Sequence, residues 1–347
     1  MNPNFYVHFT ADFSQLTRFQ QLGDKNGYKY MNKPYGLRDW METTFQMNKH
    51  DRRPEVEDGI VFLMDPDNIL LRPIVHDFSN ERMIFAKDNP DWKVVSHGHP
   101  MAQQDGYLNN QWMHLNISYV THGGDIDGIK DPDGPQYWNT GPPYLATVRD
   151  MYNIAVLWTE YAPRVYHIHP KLFAEMYGFI IATTQLQLKH TLIKSIVVST
   201  TGTNVREGWP YIDALPDEEV CDPRPNAPLP MGLHYCKRYL LGPWFFSKYR
   251  LKKKYISCET PLLTPPPKNL VEQRYTYSLQ PPPHGHKGEW DPPRSDLSEK
   301  QAKREAFMIC GLIRLVNEAA IHFKTTACNG TANMATNYTF FSDPNHQ

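Results

Sequence analysis

Gly59-Ile60-Val61-Phe62-Leu63-Met64-Asp65-Pro66-Asp67 is the stretch on which the fold reading turns. An apolar run of this length reads as a strand buried on both faces, as in a parallel sheet covered by helices. The run stops at two carboxylates one residue apart. Carboxylates just beyond such a strand lie at its C-terminal edge, where open α/β sheets bind their ligands. Two hard oxygen donors there suit Mg²⁺ or Mn²⁺ shared with phosphate oxygens. The competing reading is an ordinary solvated Asp-Pro-Asp turn after a strand.

A chain of 347 residues has room for about two domains, or one large α/β domain. With 40% hydrophobic and 13% aromatic residues it can bury a sizeable core. A formal net charge of −1 makes no electrostatic case for nucleic acid or an anionic membrane. No apolar run reaches the ~18 residues of a membrane-spanning helix. The opening residues, Met1 to His8, lack the basic-then-apolar order of a signal peptide. Asn-x-Ser/Thr sequons occur at Asn116, Asn329 and Asn337, as suits a luminal glycoprotein. The five cysteines, Cys221, Cys236, Cys258, Cys310 and Cys328, leave at least one unpaired and show no metal-binding spacing. The loop closures to test are Cys221 or Cys236 with Cys258, and Cys310 with Cys328.

Along the chain, residues 1–30 read as a strand and loop. A short helix follows Pro34 and buries Leu37, Trp40 and Met41. After the strand at 60–64 comes Asn68 to Arg72, ended by Pro73. Residues 88–140 lack periodicity and read as long loops. Helices are expected from about Ala146 to Tyr161 and from Pro170 to about Leu186, with a strand from Ile193 to Thr200. The domain reading is one domain over 1–260, a Pro-rich surface linker over 261–299, a helix over 300–324 packed on the domain, and a mobile tail over 325–347.

Several segments share a pattern with one family. Asn32-Lys33-Pro34 with Trp40, Leu63 to Ile69, Gly98-His99-Pro100 with Gln103-Gln104, and Gly141-Pro142-Pro143-Tyr144 come first. Ala174 to Gly178, Leu233-His234-Tyr235-Cys236, Phe245 to Tyr249 and Val316 to Ala319 follow in order. Together they resemble the plant and algal protein O-glycosyltransferases, which include the peptidyl serine α-galactosyltransferases and the hydroxyproline O-arabinosyltransferases. The resemblance spans most of residues 30–324 and is nearer the serine galactosyltransferase branch, on Gly-His-Pro and His-Tyr-Cys. It implies a GT-A-like α/β fold, a mostly parallel sheet flanked by helices. It also implies Mn²⁺ (or Mg²⁺), a UDP-sugar donor, a glycoprotein acceptor bearing serine or hydroxyproline, and a place in the Golgi or ER lumen. Relatives carry an upstream strand, helix and second strand that hold the nucleotide base. Here Met1 falls near that second strand, Tyr6 to Thr10, so the chain reads as N-terminally truncated, with the first nucleotide-binding strand missing.

The resemblance makes Asp65 and Asp67 metal ligands, with contact to the ribose hydroxyls as the alternative for Asp65, and adds His234, whose neutral imidazole suits Mn²⁺. A lone histidine is otherwise a satisfied structural group. Lys248 is placed to hold the departing diphosphate as a point charge, against the alternative of a solvated cationic face. Glu175, a carboxylate on an apolar helix, is the candidate catalytic group, with a buried structural hydrogen bond as its alternative. Asn32, Lys33, His99, Gln103, Gln104 and Tyr144 are the candidate donor- and acceptor-binding residues, Tyr144 by stacking on a sugar or peptide. His97, His99, His167 and His169 have the look of a zinc cluster, but their Pro-flanked loops disfavour it. Metal-dependent transfer of a sugar, galactose first, to serine or hydroxyproline is the leading functional reading. The others are a catalytically inactive family fragment that binds protein or glycan, and a glycoside hydrolase using two of Asp65, Asp67 and Glu175.

Overall fold

A computed structural model of the chain describes residues 6–15, 27–49, 54–87, 90–105, 110–124, 126, 134–202, 207–242, 244–251, 253–272 and 297–337. The protein is mixed α/β. It divides into two compact units, one formed by Met1–Met64 and Val75–Lys194, the other by Asp65–Ile74 and Ser195–Gln347. These cut across the single domain read over 1–260.

The first unit is built on a four-stranded sheet in the order β1-β4-β3-β5, with β1 Ile60–Leu63, β3 Met101–Gln104, β4 Thr140–Thr147 and β5 Thr191–Ile193. β4 runs antiparallel to β1 and β3, and only β3 and β5 are parallel, so the expected mostly parallel sheet is corrected to a mixed one. The strand buried on both faces is β4, not β1, which stands at one end of the sheet with Val61 its sole buried residue. Composition hid this. Gly141-Pro142-Pro143 reads as loop, because proline cannot donate to a ladder. The register shows how the strand tolerates them. Ala102 pairs with Tyr144 and Gln103 with Gly141, so Pro142 and Pro143 are left over in a bulge.

Three helices of this unit matter below: α1 (Asn32–Thr44), α2 (Val148–Ile168) and α3 (Ala174–Gln185). α2 starts where the Thr147 side chain accepts from the Asp150 amide. Its expected end near Tyr161 is overrun despite Pro163, whose ring removes the donor to the Thr159 carbonyl. The Tyr35 hydroxyl, from α1, donates to that carbonyl at 2.8 Å instead. Tyr35→Phe is therefore expected to cost about 1–2 kcal/mol by leaving the carbonyl without this donor, read as a lower midpoint in urea unfolding. α2 and α3 meet at Gly178, where an added Cβ would lie 2.8 Å from the Ala162 Cα. Tyr144, Trp158 and Phe179 form the aromatic centre of this core, with Tyr144 stacked on Phe179 at 3.9 Å between ring centroids.

His190 is sealed beside that core, its Nδ1 at 2.9 Å from the Leu188 carbonyl oxygen. Burial pushes its imidazole down to about 3, against a small opposing effect of that hydrogen bond. Above pH ~6.5 the ring is neutral in both folded and unfolded chains, and burial carries no protonation penalty. As pH falls from there toward 3, only the unfolded chain takes up the proton, so stability is lost. The loss from this group alone is about 2 kcal/mol at pH 5. Urea unfolding at pH 7 and 5 checks this, with His190→Asn expected to flatten the difference and an unchanged difference contradicting it.

The second unit has a three-stranded sheet in the order β2-β7-β6: β2 Asn68–Leu70, β6 Val197–Val198 and β7 Gly232–His234. A two-stranded ribbon, β8 (Tyr239–Leu241) with β9 (Trp244–Phe246), accompanies it. The strand expected over 193–200 is thus two, β5 and β6, one in each unit. The core helix α4 (Glu299–Ala327) opens on a capping box between Ser298 and Gln301 and buries Phe307, Met308, Ile309, Leu312 and Ile313. By length and composition α4 could cross a membrane, yet 56% of its most apolar stretch is buried inside the protein. Lys324, also buried on α4, donates to the carbonyls of Ser257, Cys258 and Thr260.

The disulfides are Cys221–Cys310 and Cys258–Cys328, with Cys236 free. Both expected loop closures are corrected: each disulfide ties a distant loop to α4, a pairing decided by tertiary packing and invisible in cysteine spacing. Alkylation of the denatured but unreduced protein should label Cys236 alone; label on Cys310 would contradict the pairing. Of the expected Pro-rich linker, residues 261–272 pack down, with Leu262, Leu263, Leu270 and Val271 buried, and residues 273–296 lie outside the described residues. The expected mobile tail is held in part. Asn333 donates to the Cys258 carbonyl and Ala335 accepts from Leu262, while residues 338–347 lie outside the described residues. Residues 6–10, expected as a strand, form none, and Tyr6 and Phe9 are exposed.

Candidate metal centre

Asp65 and Asp67 belong to the second unit, where they lead into β2. β2 pairs antiparallel with β7 so that Asn68 lies opposite His234. This brings the turn against the end of β7, and local bonds hold it there. The Asn68 side chain donates to the Asp65 carbonyl at 2.9 Å, and the Tyr235 amide to the Asp67 carbonyl at 3.0 Å. The strands approach closely because residue 232 is glycine: a Cβ there would lie 2.7 Å from the Ile69 carbonyl oxygen. From behind, the Tyr239 hydroxyl bonds the His234 and Ser199 carbonyls.

The ligand atoms of Asp65, Asp67 and His234 all lie within 4.8 Å of one another. His234 Nε2 is 3.3 Å from Asp67 Oδ1 and 3.9 Å from Asp65 Oδ2. Lys248 enters from a 3₁₀ turn, Lys248–Arg250, capped by Ser247, and its ammonium donates to Asp67 Oδ2 at 2.5 Å. The four sequence-selected residues are therefore together in space. Burial alone would lower the His234 imidazole, but the Asp67 carboxylate and Cys236 hydrogen-bonded to the ring push it up to about 10. Burial likewise works against ionised Asp67, and His234 and Lys248 overcome it to hold the carboxyl well below the usual range. The Lys248 ammonium is raised by Asp67 against the opposing effect of burial.

Two carboxylates and an imidazole on one half-buried face are a donor set that fits Mn²⁺ or Mg²⁺. The charge pattern agrees: two adjacent carboxylates already draw an ammonium and an imidazolium, which a divalent ion would replace. Cys236, the free and half-buried thiol beside His234, was not selected from sequence as part of the site. Its position two residues from His234, just past the end of β7, was the signal.

The remaining sequence-selected residues lie in the first unit. Glu175, expected as the catalytic group, is 2% exposed and takes the Lys33 ammonium at 2.8 Å. It is thereby a buried structural partner, and Lys33 is accounted for in the same bond. The Asn32 side chain accepts from the Phe13 amide and donates to Asp12, organising the turn ahead of α1. Gln103 is buried and donates to the Lys194 carbonyl, while Gln104 is half-buried at the end of β3. Tyr144 is wholly buried in the aromatic core, which corrects its expected stacking on a ligand. His99 is exposed, stacked on Trp92 with its Nδ1 at 3.1 Å from the Ser96 hydroxyl.

The His-x-His pairs do not gather. His97 is bound to Asp150 near the start of α2 and His167 lies on α2 itself, 17 positions further on (150 to 167). At about 1.5 Å per residue they stand roughly 25 Å apart.

No protein-family model, curated protein or solved structure matches the chain.

Proposed function

We propose that the chain is a metal-dependent glycosyltransferase of GT-A type. It moves a sugar, galactose first, from a UDP donor to a hydroxyl of serine or hydroxyproline in a Pro-rich glycoprotein. The observation that carries this reading is the convergence of Asp65, Asp67 and His234 within 4.8 Å, with Lys248 on Asp67. When bound, Mn²⁺ (or Mg²⁺) would neutralise the diphosphate as the bond to the sugar breaks. Asp65 and Asp67 would supply the oxygen ligands and His234 the nitrogen, with the β2–β7 pairing setting His234 opposite Asn68. Lys248, whose ammonium donates to Asp67, is the point charge that would hold a diphosphate oxygen. The reading requires no catalytic role for Glu175, and the buried pairing of that residue weighs against the glycoside hydrolase alternative. Passage through the ER and Golgi lumen belongs to the same proposal, and the two disulfides support an oxidising compartment.

The test is release of UDP from UDP-galactose by the purified chain, with Mn²⁺, with chelator, and with a serine-containing Pro-rich peptide. Turnover that stops with chelator and returns with Mn²⁺ is expected. Turnover indifferent to chelator would overturn the metal assignment. Binding of peptide or glycan without turnover would favour the inactive binding module.

A further inference from the structure

We infer that Asn329 carries an N-linked glycan, independently of the glycosyltransferase reading. Asn329-Gly330-Thr331 follows directly on Cys328 at the end of α4. Asn329 has φ 46 and Gly330 φ 78, and the Thr331 amide returns to the Cys328 carbonyl at 3.0 Å. Two central residues with positive φ make a type I′ turn, which Asn-Gly favours, and its tip faces solvent. Asn329 and Gly330 are exposed, and a Cβ at Gly330 would meet nothing within 4 Å. The Thr331 hydroxyl is turned back to the Cys328 carbonyl at 2.8 Å, so the sequon lies on a rigid tip. Among the described residues no hydrogen bond engages the Asn329 side-chain amide.

The other sequons differ. Asn116 uses its side-chain oxygen to cap the helix Ile117–Thr121, accepting from the Tyr119 amide at 3.1 Å, with Ser118 inside that helix. The sequon at Asn337 extends outside the described residues. Cys328 itself is disulfide-bonded to Cys258, the chemistry of the compartment in which sequons are modified. In the transfer, the Asn329 amide nitrogen bonds to the anomeric carbon of an oligosaccharide carried on a lipid pyrophosphate. The carbon–oxygen bond to the pyrophosphate breaks, the leaving group keeps the electron pair, and the amide gives up one proton.

The test is peptide mapping of the protein isolated from its own cells, treated with peptide-N-glycosidase in ¹⁸O-water. Conversion of Asn329 to ¹⁸O-labelled aspartate is expected. In cells expressing Asn329→Gln or, as a second variant that keeps the asparagine, Thr331→Ala, the protein should migrate faster by one glycan. Unmodified Asn329 in the disulfide-bonded protein, or modification of Asn116 alone, would overturn the assignment.

Discussion

An Asp67→Asn variant is expected to lose metal-dependent UDP release by a factor on the order of 10²–10³ while keeping its fold. Asp67 is where the site's charges meet: one carboxylate oxygen faces His234 at 3.3 Å and the other takes Lys248. Asparagine keeps the shape but supplies one neutral acceptor. The site would lose a metal ligand and face its own two cationic groups without their shared counter-charge. The backbone bonds that set the turn, Asn68 to the Asp65 carbonyl and Tyr235 to the Asp67 carbonyl, do not use this side chain. The measurement is kcat/KM for UDP-galactose at saturating Mn²⁺, beside urea unfolding to show that the fold survives. Full turnover in Asp67→Asn would remove Asp67 from the chemistry.

Lys33→Met is expected to destabilise the first unit by about 3–5 kcal/mol. It leaves Glu175, 2% exposed, without the ammonium that now lies 2.8 Å from its carboxylate. The Glu175 backbone also accepts from Trp158 Nε1 at 2.6 Å and donates to the Tyr28 hydroxyl, which holds its backbone in place. Removing both partners is different: Lys33→Met/Glu175→Leu is expected to recover most of the loss, because no buried charge remains. A double-mutant cycle in urea checks this. If Lys33→Met were as stable as the parent, Glu175 would not depend on this pair, and its reading as a catalytic carboxylate would reopen.

The candidate metal site was legible only in part from local signatures. Asp65 and Asp67 end an apolar run, whereas His234 and Lys248 were singled out through the motif resemblance. What joins them is long-range, the pairing of Asn68 with His234 across β2 and β7, which no local signature reports. Glu175 is a different case. An acidic residue on an apolar helix has the same appearance in sequence whether it faces a substrate or a buried lysine 142 positions away. Tyr144 was misplaced because two prolines disguised the most buried strand of its sheet as a loop, and the bulge that absorbs them depends on β3. The helix α2 likewise runs past its expected end near Tyr161, through Pro163. The Tyr35 hydroxyl that lets α2 continue comes from another helix. The disulfides followed α4, whose packing no cysteine spacing reports.

The most direct test of the central claim is a Mn²⁺ titration followed by electron paramagnetic resonance, with and without UDP, on the parent chain and His234→Ala. One bound Mn²⁺ per chain, held more tightly with UDP and lost in His234→Ala, is the predicted result. Mn²⁺ that stays free in the presence of the parent chain, or binding untouched by His234→Ala, would contradict a metal centre at Asp65, Asp67 and His234.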